Sequence, residues 1–191
     1  MEKQEILKYL ENNKVENGHV LREFLEQDQE HYLRSNQYGH ITGSSFVLND
    51  SMDEALLILH KKYNKWVASG GHVDEGETAK QASKRETGEE VGLDNIKLLK
   101  PEIFDIDVHR IPAATKKGVF EPEHWHFDVR YLYKAEKGAK VEANMEETNG
   151  YQWNSLKMLA TVDDESIKRQ ATKAIDFVES LKHKVKQKFK I

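Results

Sequence analysis

The apolar positions change period several times along the chain, and each change marks an element. Up to about Arg34 they recur at helical spacing. Ile6, Leu7 and Leu10 share one face, and Val20-Leu21 with Phe24-Leu25 repeat the pattern beyond Asn17-Gly18. Two helices are expected, either packed on the rest of the chain or building a homodimer. From His40 to Leu48 the pattern turns strand-like and stops at the turn residues Asn49-Asp50. Ala55 to His60 is a short continuous apolar run, which suits a strand buried on both faces. Asn64-Lys65-Trp66 leads into Ser69-Gly70-Gly71, read as a loop, and Thr78 to Glu90 reads as a helix.

Two later stretches alternate with period 2. Phe104, Ile106 and Val108 oppose Asp105, Asp107 and His109; Trp125, Phe127, Val129 and Tyr131 oppose His124, His126, Asp128 and Arg130. Each set therefore lies on one side of a strand. Ile111 to Pro122 contains Pro112, Gly118 and Pro122 and reads as a loop, and Tyr151-Gln152-Trp153 as a last strand. A helix is expected from about Asp163 to beyond Lys184, with Ile167, Ala171, Ile175 and Val178 as its apolar stripe. Asp163 and Asp164 suit its positive end. The five lysines from Lys182 to Lys190 read as a solvated, fraying end. The succession predicts an α/β fold, a mixed sheet with helices on both sides.

Composition narrows the class. A chain of 191 residues suffices for one core. Its net charge of −4 gives no general pull toward nucleic acid or an anionic membrane. With no cysteine, disulfides, thiolate zinc sites and a cysteine nucleophile are excluded. No apolar run approaches a membrane span, and the first residues lack a secretory apolar segment. The expectation is a cytoplasmic protein without membrane or nucleic-acid partners.

The chemistry concentrates between Gly71 and Leu93. Glu86, Glu89 and Glu90 stand at i, i+3 and i+4 behind a glycine-bearing loop, within roughly a 100° arc of one helix face. Like charges so spaced destabilise a bare helix by roughly 0.2–0.5 kcal/mol per pair, so a compensating cation is expected. Mg²⁺ favours carboxylate oxygens and commonly bridges them to substrate phosphates. An isolated Glu-x-x-Glu-Glu would read as a solvated face; its surroundings change that. Gly71, Glu77 after five residues, Arg85-Glu86 after seven more, Glu89-Glu90 and Gly92-Leu93 resemble the signature of the Nudix hydrolases. The departure is Thr87 at a usually aliphatic position, with Gly88 beside it, a pair expected to weaken the helix midway.

The resemblance implies an α/β/α sandwich with a mixed sheet. It covers about Gly39 to Leu159, with residues 1–37 as a helical N-terminal extension and 38–191 as the Nudix hydrolase domain. It also implies hydrolysis of a diphosphate bond in a nucleoside diphosphate-linked small molecule, dependent on Mg²⁺, with Mn²⁺ as a substitute. Carried over by position, Glu89, Glu90 and the carbonyl of Gly71 are metal ligands, and Glu86 is a ligand or the general base. Arg85 would position Glu86, and Glu77 would tie the loop to the helix through that arginine. Some members recruit a glutamate before the last strand, where Glu146 and Glu147 stand, either in that role or as plain solvated residues.

The polar rows leave several readings open. If the two strands pair, His124, His126, Asp128 and Arg130 join Asp105, Asp107 and His109. That face either binds substrate, holds a second metal, or only satisfies itself. His40, Thr42 and Ser44 share a strand face that would extend it. Among rival functions, a nucleotide sensor without turnover conflicts with the complete glutamate set. The related isopentenyl diphosphate isomerisation relies on a cysteine, absent here. RNA decapping finds no basic, aromatic groove. The motifs of NADH, ADP-ribose and diadenosine polyphosphate hydrolases find no match; Asp105 to Pro112 with His124 to Arg130 instead resembles a bacterial, NTP pyrophosphohydrolase-like subgroup without a fixed substrate.

Overall fold

The periodic stretches of the sequence become five helices and ten strands among the residues described in a computed structural model, namely 2–27, 30–116 and 119–188. In chain order these are α1 (Glu2–Asn12), α2 (Gly18–Glu26), β1 (Gly39–Leu48), β2 (Glu54–His60), β3 (Lys65–Val67), β4 (Ser69–His72) and α3 (Ala79–Val91). There follow β5 (Ile96–Leu98), β6 (Asp105–Ile111), β7 (Ala114–Lys116), β8 (Val119–Glu121), β9 (His124–Ala135), β10 (Thr148–Ser155), α4 (Leu156–Leu159) and α5 (Glu165–Lys188). Hydrogen bonding orders the main strands β10-β2-β1-β9-β5, with β3 on β2, β4 on β1 and β6 on β9. Two compact units share these elements, residues 1–45, 70–88 and 100–131 in the first, and 46–69, 89–99 and 132–191 in the second.

The first unit carries the two alternating strands. β6 and β9 pair antiparallel from Asp105↔Arg130 to Ile111↔His124, so the two polar rows do share a face. Their apolar rows are buried at Ile106, Val108, Phe127, Val129 and Tyr131. Phe24 of α2 stacks on Phe127 at 4.6 Å, which anchors the N-terminal helices. α1 adds polar ties: Glu2 accepts hydrogen bonds from Tyr131 (3.0 Å) and Tyr32 (2.9 Å). The half-buried Tyr32 hydroxyl has a raised pKa, from desolvation first and then Glu2.

In the second unit, β10 pairs antiparallel with β2 from Tyr151↔Ile58 to Ser155↔Glu54. β5 pairs with the end of β9, Ile96↔Ala135 to Leu98↔Tyr133. Ala55 to Ile58 are buried, in line with the continuous apolar run. α5 buries Ile167, Ala171, Ala174 and Val178. Asp164 caps its start, accepting from the Ser166 and Ile167 N–H groups at 3.0 Å each.

Several expectations are corrected. The loop expected at Ser69-Gly70-Gly71 is the strand β4, and the stretch leading into it is the strand β3: a hairpin registers Ile58↔Val67 and His60↔Lys65, with Asn64 taking the positive φ (49°) that its turn needs. The loop expected over Ile111 to Pro122 contains the hairpin β7–β8, Ala114↔Glu121 to Lys116↔Val119. α2 stops at Glu26, short of Arg34, whereas α5 runs to Lys188, beyond Lys184 as expected, with residues 182–187 exposed. β5 and α4 are too short to leave a periodic signal. Gly118 and Lys190 lie outside the described residues. Among those described, no helix is long and apolar enough to cross a membrane.

Candidate active site

α3 is locked at its start by two devices. Thr78 and Gln81 form a reciprocal capping box: the Thr78 N–H donates to Gln81 Oε1 (2.9 Å) and the Gln81 N–H to Thr78 Oγ1 (3.2 Å). Glu2 accepts from the next two backbone N–H groups, Ala79 at 3.0 Å and Lys80 at 3.4 Å. Gly92 ends the helix with φ +68°, the left-handed conformation glycine adopts without strain. Thr87, the expected weak point, is fully buried, and its hydroxyl donates to the Ser83 carbonyl at 2.8 Å. The helix runs unbroken through Gly88.

Arg85 organises the polar side of α3. Its Nε donates to Glu77 Oε1 (3.0 Å), and one terminal nitrogen to Glu77 Oε2 (3.0 Å) and the His72 carbonyl (2.9 Å). The other terminal nitrogen donates to Glu86 Oε1 at 3.0 Å. The hydrogen bonds of Glu77, then the charge of Glu86, raise the Arg85 pKa against partial burial, so it stays charged. In turn Arg85 holds Glu77 below the usual carboxylate range. Gly71 lies against the Glu86 carboxylate so closely that a Cβ there would sit 2.5 Å from Glu86 Cδ and Oε1. Further along the helix, Glu90 is buried and accepts from Ser69 Oγ at 2.7 Å, while Glu89 is exposed. The segment before β10 is tied to the end of α3: the Glu142 N–H donates to the Val91 carbonyl (2.9 Å), and the Asn144 N–H to that of Glu90 (2.8 Å). Glu146 and Glu147 follow it, both exposed.

The polar face of β6 and β9 is a second constellation. Arg130, buried, donates to Asp128 Oδ2 (2.7 Å) and Asp105 Oδ2 (3.2 Å) and lies 3.5 Å from Asp107 Oδ2. Burial alone would lower its pKa; Asp128, Asp107 and Asp105 outweigh that and raise it. Asp128 also accepts from Thr42 (3.0 Å) and Ser44 (2.7 Å) of β1. Beyond these ions lie five imidazoles. His40 stands 4.7 Å from His126 and 5.0 Å from His72 between ring centroids. His124 and His109 approach His126 at 5.2 and 5.7 Å. Burial first, and then His124, lower the His40 pKa to about 4. Burial and four neighbouring imidazoles, His40 foremost, push that of His126 down further. Both rings are neutral near pH 7.

The expected residues thus gather in two sets. Glu77, Arg85, Glu86 and Gly71 are in direct contact, and Glu86, Glu89 and Glu90 stand on one continuous helix. His40, His124, His126, Asp128 and Arg130 form the other set, in which the Arg130 guanidinium is turned toward carboxylates. Sequence reasoning passed over Glu2, Ser69 and His72. His72, beside Gly71 on β4, joins the sets: its carbonyl holds Arg85 while its ring meets His40 and His126. Its neighbour in the signature was the available signal.

The comparisons with known proteins agree with this geometry. The family model of the NUDIX domain matches residues 40–175. A Bacillus subtilis (strain 168) protein provisionally named an 8-oxo-dGTP diphosphatase is 28% identical over 109 residues. The match covers 57% of this chain and 62% of that relative, so the chain spans less than two thirds of its length. A NUDIX family hydrolase from Clostridium perfringens is 27% identical with a TM-score of 0.54, over 73% of this chain and 97% of that one. An Ap4A hydrolase from C. elegans, solved as a binary complex, shares the fold at 19% identity and a TM-score of 0.54, over 73% and 98%. The architecture is the α/β sandwich of these neighbours, with its mixed sheet as expected.

Proposed function

The chain belongs to the NUDIX domain family, and from that premise we propose that it is a divalent-cation-dependent hydrolase of a diphosphate bond in a small nucleotide-type substrate. The observation that carries this reading is the Arg85 fork, which holds Glu86 and Glu77 in one contact set beside Gly71. The donor set fits a hard cation: carboxylates on one helix, and beside them the Gly71 backbone, which approaches the Glu86 carboxylate so closely that a Cβ would collide with it. Glu86, Glu89, Glu90 and the Gly71 carbonyl would hold Mg²⁺, for which Mn²⁺ can substitute. When bound, that ion neutralises phosphate charge and makes water more acidic.

The protein's own groups divide the remaining work. Glu86, fixed by Arg85 at 3.0 Å, orients water toward phosphorus and accepts its proton. Arg85 keeps its charge and planar fork, and through it holds one Glu86 oxygen in place. Ser69 aims Glu90 through its 2.7 Å hydrogen bond. Glu147 follows a segment tethered to the end of α3, and serves as the additional acid-base glutamate. The face that carries His40, His124 and His126 lies toward the part of the substrate beyond the diphosphate, on strands cross-linked by Arg130 to Asp105 and by Thr42 and Ser44 to Asp128. The 8-oxo-dGTP diphosphatase name of the Bacillus subtilis relative supports a nucleoside triphosphate among the candidates.

The test is a turnover screen with Mg²⁺ over nucleoside triphosphates, oxidised guanine nucleotides, sugar nucleotides and dinucleoside polyphosphates, with products identified. Hydrolysis of one class, abolished by Glu89→Gln, is the expected result. Tight nucleotide binding without turnover would leave a sensor in place of an enzyme.

A further inference from the structure

We infer that His40, His124 and His126 form a second metal site, a three-imidazole seat for a transition dication such as Zn²⁺, independent of the reading given to the α3 carboxylates. Nε2 of His126 lies 3.1 Å from Nε2 of His40 and 3.3 Å from Nε2 of His124. Ligand atoms of the three rings all lie within 4.8 Å of one another. Zinc–imidazole bonds of about 2.0–2.1 Å in a tetrahedron place neighbouring nitrogens about 3.3–3.4 Å apart. The two short edges are close to that figure.

Proton placement gives an independent argument. The Pro122 carbonyl can only accept, so Nδ1 of His124, 2.8 Å away, carries its hydrogen. The Nε2 of the neutral ring then holds a lone pair. Nε2 of His126 has one position in its ring plane, either a hydrogen or a lone pair, yet it faces two nitrogens. As a donor it serves one neighbour and leaves the other poorly matched. As an acceptor it sets lone pair against lone pair at His124. One cation between three lone pairs removes the conflict. A neutral imidazole whose second nitrogen donates to a backbone carbonyl is also the usual form of a metal-ligating histidine.

The donor chemistry selects the ion. Mg²⁺ demands oxygen ligands, whereas imidazole nitrogens suit Zn²⁺, Co²⁺, Ni²⁺ and Cu²⁺. His40 and His124 are buried, so little hydration competes. Three protein ligands leave a fourth position for water or an anionic oxygen.

The experiment titrates metal-free protein, in excess Mg²⁺, with Zn²⁺ by calorimetry and with Co²⁺ by visible absorption. His126→Ala, His124→Asn and a Glu89→Gln, Glu90→Gln double variant run alongside, each checked for folding by circular dichroism. The expected result is one equivalent of Zn²⁺ and the intense visible bands of four-coordinate Co²⁺ in the unaltered protein and the glutamate variant. Affinity should fall more than about 100-fold in both histidine variants, beyond the cost of losing an outer-shell partner. Absence of Zn²⁺ uptake by the unaltered protein overturns the proposal. So do histidine variants with undiminished affinity, or loss of the cobalt bands in the glutamate variant. If His126→Ala fails to fold, His124→Asn and the cobalt spectrum of the unaltered protein decide. A protein that binds Zn²⁺ here yet hydrolyses nothing would refute only the function of α3.

Discussion

Gly71→Ala separates the fold from the chemistry. Gly71 is not among the residues with positive φ, so its backbone accepts alanine without strain. The added Cβ would stand 2.5 Å from Glu86 Cδ and Oε1 and 2.8 Å from Oε2. Ordinary carbon contacts lie at about 3.5–4.0 Å, so the carboxylate must retreat by about 1 Å. What moves is the tip of a flexible side chain, costing on the order of 0.5–1.5 kcal/mol as off-rotamer strain. The smaller entropy of the unfolded alanine chain offsets about 0.4–1 kcal/mol of that. Net stability should stay within about 1 kcal/mol, a Tm shift of no more than about 2–4 °C. Activity should suffer far more. The retreat strains the 3.0 Å bond from Arg85 and misplaces the group that orients water. A displacement of about 1 Å costs on the order of 10²-fold in rate. The assay pairs thermal unfolding with kcat on the substrate class identified by the screen. Near-normal kcat at unchanged Tm would refute the positioning of Glu86; a collapse of Tm would show that Gly71 serves the fold instead.

Gly43 provides the opposite case. A Cβ there would meet the backbone of Ala79, 2.1 Å from its carbonyl oxygen, so Gly43→Ala should destabilise by at least about 1–3 kcal/mol, read from urea unfolding midpoints. Arg85→Lys keeps the charge and loses the planar fork; kcat should fall on the order of 10²-fold with KM little changed, and an unchanged kcat would show that a point charge suffices. The lowered pKa of His40, about 4, implies a pH dependence of stability in metal-free buffer. The unfolded histidine titrates near 6.5 and takes the proton first, so stability is lost as pH falls from about 6.5 toward 4. His40→Gln should flatten that slope in urea midpoints measured across the window; an unaltered slope would deny His40 a part in it.

What the sequence made legible follows from period and spacing. The alternation of Asp105 to His109 and of His124 to Arg130 specified which side chains share a face, and the β6–β9 register confirmed it. A fixed spacing from Gly71 to Leu93 marked the glutamate face of α3 before any coordinates. Contacts between residues far apart left no comparable trace. Glu2 caps α3 across 77 positions, and no local pattern announces it. The short strands β3, β4 and β5 carry too few residues for a period, and glycines at Gly70 and Gly71 made β4 look like a loop. The two polar rows implied that Arg130 shares its face with Asp105, Asp107 and Asp128, but only the β6–β9 register showed that two of these carboxylates reach it from β6 and one from its own strand. Thr87 misled in the other direction, since its hydroxyl finds the Ser83 carbonyl inside the helix itself.

The most direct test of the central claim is diffraction at the manganese absorption edge from crystals soaked in Mn²⁺ with a non-hydrolysable nucleoside diphosphate analogue. The account predicts an anomalous peak within bonding distance of the Glu89 and Glu90 carboxylates and of an analogue phosphate oxygen. Bound analogue with no peak on that face of α3 would contradict it.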